Sequence, residues 1–321
     1  MNREHAPCAV CGADEPKPQY TVYDLIWSQP GEWSFVTCGR CGHGYIDPRP
    51  DGPALGALYD SLYVPELLQL MVKVGESGFD RSLRKGRIRD VSAAMAGRTV
   101  RRVLDAGCGV GNFIREMKVA FPEAEAIGIE TAPAAAELAA QKPGVSIVSD
   151  DFERINLPDA CVDILTMNHM LEHVPEPRVT LRHAARLVAP GGVVEIELPW
   201  LDGWARTLTG RWCWLHLPPQ HLQWFTRDGL LKLLKEEGFG EVIQVKTTGY
   251  PMLLTAALVL AARFTTGSAS PYAKNWLVRG PATVFGFLLL PFTAIIDLLA
   301  RVLLDPWKGD ILRVVARRDG A

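Results

Sequence analysis

The sequence predicts an α/β protein built on a Rossmann-like sheet with a small ribbon ahead of it, and three observations carry that prediction. The first is a hydrophobic strand running into a glycine-rich turn, Val103-Leu104-Asp105-Ala106-Gly107-Cys108-Gly109-Val110-Gly111-Asn112. The second is the alternation of short apolar strands with helical patterns that continues to Val245, the signature of a parallel sheet wound with helices. The third is a pair of Cys-x-x-Cys motifs near the N-terminus, Cys8/Cys11 and Cys38/Cys41.

Residues 1–50 read as the ribbon. Each cysteine pair is followed by a glycine, Gly12 and Gly42, which makes a tight knuckle presenting two thiolates to one tetrahedral ion. The gap between the knuckles leaves room for a hairpin of Tyr20-Thr21-Val22-Tyr23 and Trp33-Ser34-Phe35-Val36. Structural Zn²⁺ on Cys8, Cys11, Cys38 and Cys41 is the expectation, because a redox dithiol needs a strand-to-helix setting that neither pair has. Four cysteines fill the shell, which makes His43 a bystander, and so small a core leaves much of its folding energy to the metal.

Residues 51–250 read as helices followed by the sheet. Tyr45 to Pro53 is a proline-rich exit, and Leu58, Tyr59, Leu62, Tyr63, Leu67, Leu68, Leu70 and Met71 have helical apolar spacing. These helices are expected either to cover the cleft as a lid or to cap the sheet edge. Arg81, Arg84, Lys85, Arg87 and Arg89 are expected to form a solvated basic face.

The glycine turn itself points to a nucleoside cofactor. Gly107, Gly109 and Gly111 allow positive φ and close approach of a ligand. A dinucleotide fingerprint would place a third glycine at position 112, where Asn112 stands. Asp105 is a poor neighbour for pyrophosphate and a good one for the ammonium and sulfonium of S-adenosylmethionine. Next, Ala126-Ile127-Gly128-Ile129-Glu130 is a strand ending in an acid suited to a ribose diol. A third strand, Val145 to Ser149, precedes Asp150-Asp151-Phe152, an acid and an aromatic suited to adenine. A fourth, Cys161 to Asn168, precedes His169-Met170-Leu171-Glu172-His173-Val174.

In this order the motifs resemble the class I S-adenosylmethionine-dependent methyltransferases, from about Arg101 to Gly240 and again in the last strand. The resemblance implies a seven-stranded sheet whose last strand is antiparallel. It implies cofactor binding by Asp105, Gly107, Gly109, Gly111, Glu130, Asp151, Phe152 and Asn168.

Further on, Leu181 to Val188 reads as a helix, Ala189-Pro190-Gly191-Gly192 as a turn, and Val193 to Pro199 as the fifth strand. The connection from Trp200 to Phe225 carries Trp200, Trp204, Trp212, Trp214 and Trp224 out of nine tryptophans in the chain, and such rigid aromatics at strand carboxyl ends suggest an acceptor pocket. Thr226 caps a helix closed by Gly238, Val242 to Val245 is the sixth strand, and Ile311 to Ala316 the seventh.

The insertion at 251–305 separates the sixth strand from residues 306–321, which complete the sheet. Its apolar runs, Thr247 to Ala262 and Gly280 to Ile296, fall short of the roughly twenty residues that span a bilayer. A helical hairpin dipping into one leaflet is expected, with Arg263, Lys274, Arg279 and Arg301 at headgroups; the alternative is a dimerisation or substrate-cap hairpin. Nothing in the sequence sets the oligomeric state.

For methyl transfer the protein has to align acceptor and methyl and remove a proton, for which histidine is suited near neutral pH. His173, after the fourth strand, and His221, in the aromatic connection, are the candidate bases. Glu172 and His173 could instead orient the loop or help hold a divalent ion, as in some quinone-pathway relatives. No Asn-Pro-Pro-Tyr-like motif follows the fourth strand, which favours oxygen or carbon acceptors over amide or amino nitrogen. Net charge is −2, and the ribbon carries Asp14, Glu15, Asp24 and Glu32 against Lys17 and Arg40, so nucleic acid is not an expected partner and a ribosomal-RNA methyltransferase is the weaker reading. Met1 to Cys8 has no apolar core of a signal peptide. The expectation is therefore methylation of a small or lipid-linked acceptor, such as a sugar or envelope precursor, in the cytoplasm at the membrane face. The competing reading is a non-catalytic scaffold of the same fold that binds a protein partner.

Overall fold

The structure, a computed structural model, describes residues 1–24, 31–248 and 309–320. Five short strands come first: β1 (Arg3–Glu4), β2 (Pro16–Val22), β3 (Trp33–Cys38), β4 (Gly44–Ile46) and β5 (Arg49–Pro50). Three helices follow, α1 (Gly52–Leu62), α2 (Pro65–Gly75) and α3 (Gly78–Ala94). Then β6 (Arg102–Ala106), α4 (Asn112–Ala120), β7 (Glu125–Ile129), α5 (Pro133–Ala140), β8 (Ser146–Val148), β9 (Val162–Asn168), α6 (Pro177–Leu187) and β10 (Val188–Pro199) make the alternating part. The chain continues through α7 (Trp204–Thr209), β11 (Gln223–Trp224), α8 (Arg227–Glu236), β12 (Glu241–Thr248) and β13 (Ile311–Arg317). Two compact units result. One holds Met1–Asp51, Pro199–Gly229 and the described part of Lys246–Leu312; the other holds Gly52–Leu198, Leu230–Val245 and Arg313–Ala321.

The first unit is a four-stranded sheet in the order β11-β4-β3-β2, with β1 and β5 paired beside it. Its apolar core joins Val22, Trp33, Phe35 and Ile46 of the N-terminal strands to Leu201 and Trp224 from the aromatic connection. Phe35 and Trp224 meet edge to face at 5.1 Å, and buried His43 donates from Nε2 to the Gln223 amide oxygen at 2.6 Å. The ribbon expected from the cysteine spacing is thus completed by a strand nearly two hundred residues downstream.

The second unit is built on the seven-stranded sheet, ordered β12-β13-β10-β9-β6-β7-β8. The β10, β9, β6, β7 and β8 neighbours are parallel, and one end of the sheet is antiparallel, as expected. Central strands of such a sheet are covered on both faces, which is why β6 and β9 are buried along nearly their whole length. Proline opens α2, α5 and α6, where a missing N–H costs nothing. Ser77 caps α3 by accepting from the Asp80 N–H. The turn expected at Ala189–Gly192 is instead a bulge inside a longer β10, whose register on β9 shifts between Val188 and Val193.

Arg84 and Arg87 correct the expectation of a solvated basic face, because both are buried. Arg84 bonds Asp80 and, at 2.8 Å, Glu116. Arg87 Nη2 lies 2.8 Å from Glu197, and Arg313 of β13 reaches Glu197 at 2.5 Å and Asp90 at 3.2 Å. The apolar hairpin expected at 251–305 lies outside the described residues. Among those described, no helix is long and apolar enough to cross a membrane.

Candidate functional site

At the carboxyl end of β6 the chain turns through three left-handed glycines, with φ of +74° at Gly107, +54° at Gly109 and +79° at Gly111. A side chain at Gly111 would meet Ala139 of α5 at 2.9 Å, so this glycine admits close packing of the turn on the helix. Gly107 and Cys108 both donate their N–H groups to the Ile129 carbonyl at 2.9 Å, which ties the turn to the end of β7. Glu130 completes the tie. Its two carboxylate oxygens accept from Gly109 N and Ala132 N, each at 2.8 Å. Burial pushes this acid up, and hydrogen bonds from the Ala132, Gly109 and Thr131 backbone and the Thr131 side chain work in the other direction. From α2, Leu68, Met71 and Val72 pack with Val110 and Ala132, so this helix lies on the glycine turn.

Asp105 is buried beside the turn and accepts a hydrogen bond from Thr166 Oγ1 at 2.6 Å. Burial raises its pKa to about 7. Across the adjoining strand end, Asn168 pairs in register with Glu197 of β10. After β8, Glu130 N donates to the Val148 carbonyl at 3.1 Å, and the chain reaches Asp151 and Phe152. Phe152 is 2% exposed with its ring edge to face on His183 at 5.0 Å, and Asp151 is half-buried. Asp105, Gly107, Gly109, Gly111 and Glu130 therefore form one continuous rim on β6 and β7, with Asn168 on the neighbouring strand.

Of the candidate bases, His173 belongs to this unit and stands edge to face with Tyr59 at 6.1 Å. His221 belongs to the other unit, buried, with Nδ1 donating to the Leu215 carbonyl at 2.8 Å. A carbonyl only accepts, so Nδ1 carries a proton. Sequence reasoning gave little weight to His169. This residue sits at φ +52° with Nδ1 3.1 Å from Glu172 and Nε2 3.6 Å from Glu197. Burial opposes its charge, yet the two carboxylates pull its pKa up to about 9, so at neutral pH it is a clamped imidazolium rather than a base. Its partner Glu197 lies almost thirty residues away in sequence, which is why the spacing of the motif carried no signal.

In the first unit the four thiols Cys8, Cys11, Cys38 and Cys41 converge, every sulfur within 4.8 Å of the others. Cys8 and Cys41 are 3.6 Å apart and Cys11 and Cys38 3.5 Å, close to the roughly 3.8 Å that sulfurs at about 2.3 Å from a tetrahedral zinc subtend. Gly12 and Gly42 donate to the Cys8 and Cys38 carbonyls to close the two knuckles.

A parallel sheet whose strand ends carry a left-handed glycine turn and two acids defines a nucleoside-cofactor-binding α/β protein. Residues 80–245, just over half of the chain, match the model of the family described as methyltransferase domain. The chain belongs to this family, and its fold is that of the class I S-adenosylmethionine-dependent methyltransferases. It is 35% identical over 99 residues to trans-aconitate 2-methyltransferase of Methylobacterium nodulans, covering 30% of this chain and 38% of that one. It is 34% identical over 118 residues to the ubiquinone biosynthesis O-methyltransferase of Bordetella bronchiseptica, covering 35% and 47%. The chain thus spans less than half the length of these relatives. Among solved structures, the cyclase SpnF aligns over 85% of this chain and 99% of its own with a TM-score of 0.53 and 16% identity, a likeness of fold alone.

The raised pKa of Asp105 sets a stability dependence on pH. Its folded value of about 7 exceeds the unfolded value of 3.8, so its contribution is fully present below pH 4 and is lost as pH rises through 7. Asp105→Asn should remove that loss. Urea unfolding at pH 5.5 and pH 8 is expected to show the wild type falling by roughly 1–2 kcal/mol more than the variant across the interval. Parallel curves for the two proteins would refute the assignment.

Proposed function

We propose that the protein transfers a methyl group from S-adenosylmethionine to an oxygen or carbon of a small acceptor. The observation that carries the reading is the Glu130 carboxylate fastened to Gly109 and Ala132 at the head of the glycine turn, which fixes backbone and acid as one preformed surface. The donor set fits the cofactor, whose ammonium, sulfonium and ribose diol all call for anions or acceptors, and the site supplies Asp105, Glu130 and bare glycine backbone. S-adenosylmethionine supplies an electrophilic methyl on a positively charged sulfur. Asp105 and Glu130 then bind the cofactor's cationic end and ribose, Asp151 and Phe152 border the adenine, and Asn168 orients the amino-acid end. His173 takes the acceptor's proton, with His221 as the alternative base. An oxygen acceptor is supported by the similarity to the ubiquinone biosynthesis O-methyltransferase and by the absence of an amide-nitrogen motif after β9. Calorimetry with S-adenosylhomocysteine tests the assignment: the wild type should bind and Glu130→Ala should lose at least tenfold in affinity. A wild type that does not bind, or a variant that binds equally well, overturns it.

In this reading Cys8, Cys11, Cys38 and Cys41 hold one structural Zn²⁺, for which the convergence of four thiols is the support. Metal analysis of reduced protein should return about one ion per chain, and Cys38→Ser should lose it together with the near-ultraviolet signal of the buried Trp33 and Trp224. Less than about half an ion per wild-type chain would count against the site.

The finer reading is a lipid-linked sugar or envelope precursor met at the cytoplasmic membrane face. It rests on the two apolar runs of the insertion and the basic residues around them. Full-length protein should then sediment with anionic liposomes at low salt; a chain that stays wholly in the supernatant has no such surface.

A further inference from the structure

The helix α1 brings a second kind of group to the glycine turn. Tyr59 and Tyr63, one helical turn apart, have ring centroids 6.5 Å from each other, and Tyr59 stands edge-on to His173. Tyr63 packs with Val110 of the turn and Ala132 at the head of α5. The Tyr59 phenol feels Tyr63 and both strand-end acids, Glu172 and Glu130. Its hydroxyl is shut off from solvent and has no hydrogen-bond partner among the described residues. Leaving a buried hydroxyl unpaired is costly, so a donor kept in such a place points to a ligand atom.

Chemistry selects the atom. Of the rim side chains, Asp105 and Glu130 are acids, which accept hydrogen bonds and suit the cofactor's ammonium and diol, and the Asn168 amide offers one donor. The carboxylate at the amino-acid end of the cofactor needs a donor instead. Burial pushes Tyr59 well above the ordinary phenol range, so it keeps its proton and can donate a hydrogen bond there. We propose that Tyr59 is a cofactor-binding residue whose hydroxyl donates a hydrogen bond to the carboxylate of the amino-acid end of S-adenosylmethionine. The inference rests on the cofactor reading above and deepens it by naming a residue that lies outside the glycine turn and the strand ends.

The test is calorimetry of the full-length protein with two probes, S-adenosylhomocysteine and 5′-methylthioadenosine, which lacks the amino-acid end. Tyr59→Phe should weaken S-adenosylhomocysteine about tenfold, leave 5′-methylthioadenosine unchanged, and leave the ligand-free melting temperature equal or higher, because an unpaired buried hydroxyl is gone. Equal affinity of both proteins for S-adenosylhomocysteine overturns the proposal, as does an equal loss with both probes, which would put the contact at the nucleoside. The cofactor reading fails separately. If the wild type binds and Glu130→Ala does not, while Tyr59→Phe binds as the wild type does, only the role of Tyr59 falls; if the wild type binds neither probe, both fall.

Discussion

The buried guanidinium of Arg313 touches Glu197 at 2.5 Å and Asp90 at 3.2 Å, and Arg87 takes the other oxygen of Glu197 at 2.8 Å. Three elements far apart in sequence meet there: α3, β10 and β13. Against burial, Arg87, His169 and Arg313 hold Glu197 well below the usual carboxylate range, while burial and the neighbouring Glu197 push Glu195 up to about 8. At neutral pH the cluster therefore balances its charges with Glu195 protonated. Taking away one member of such a set leaves a bare charge in a medium that cannot solvate it, at a cost of about 3–5 kcal/mol. The same Glu197 lies 3.6 Å from His169. Through that single carboxylate the rim beyond β9 depends on the last strand being in place, which gives a physical reason for the chain to return to the sheet after so long an insertion.

The glycine turn depends on a second carboxylate. Glu130 bonds the turn at Gly109 and the head of α5 at Ala132, so a left-handed backbone that would otherwise sample many shapes is held in one. Preforming the surface in this way lowers the ordering cost that binding would otherwise meet.

Much of this was legible in the sequence because it is local. Gly107, Gly109 and Gly111 announce a turn, strand alternation announces the parallel sheet, and two Cys-x-x-Cys-Gly knuckles announce converging thiols. What escaped reading is long-range. Arg84 and Arg87 looked like a solvated helix face because their carboxylate partners, Glu116 and Glu197, lie outside the helix. His169 looked unremarkable because its second clamp, Glu197, comes from the next strand of the sheet. Phe152 shows the same limit, since its position after β8 was readable and its ring contact with His183 was not. Within the aromatic connection, Trp224 fills the core of the ribbon unit through a two-residue strand too short to leave a pattern.

That short strand has a consequence in time. The ribbon sheet cannot close until β11 joins β4, and β11 lies far beyond the second knuckle. At the usual pace of synthesis, roughly 5–20 residues per second, about 10–40 seconds separate the second knuckle from the strand that closes the sheet. During that interval any metal or oxidant in reach meets the four thiols before the rest of the unit is assembled.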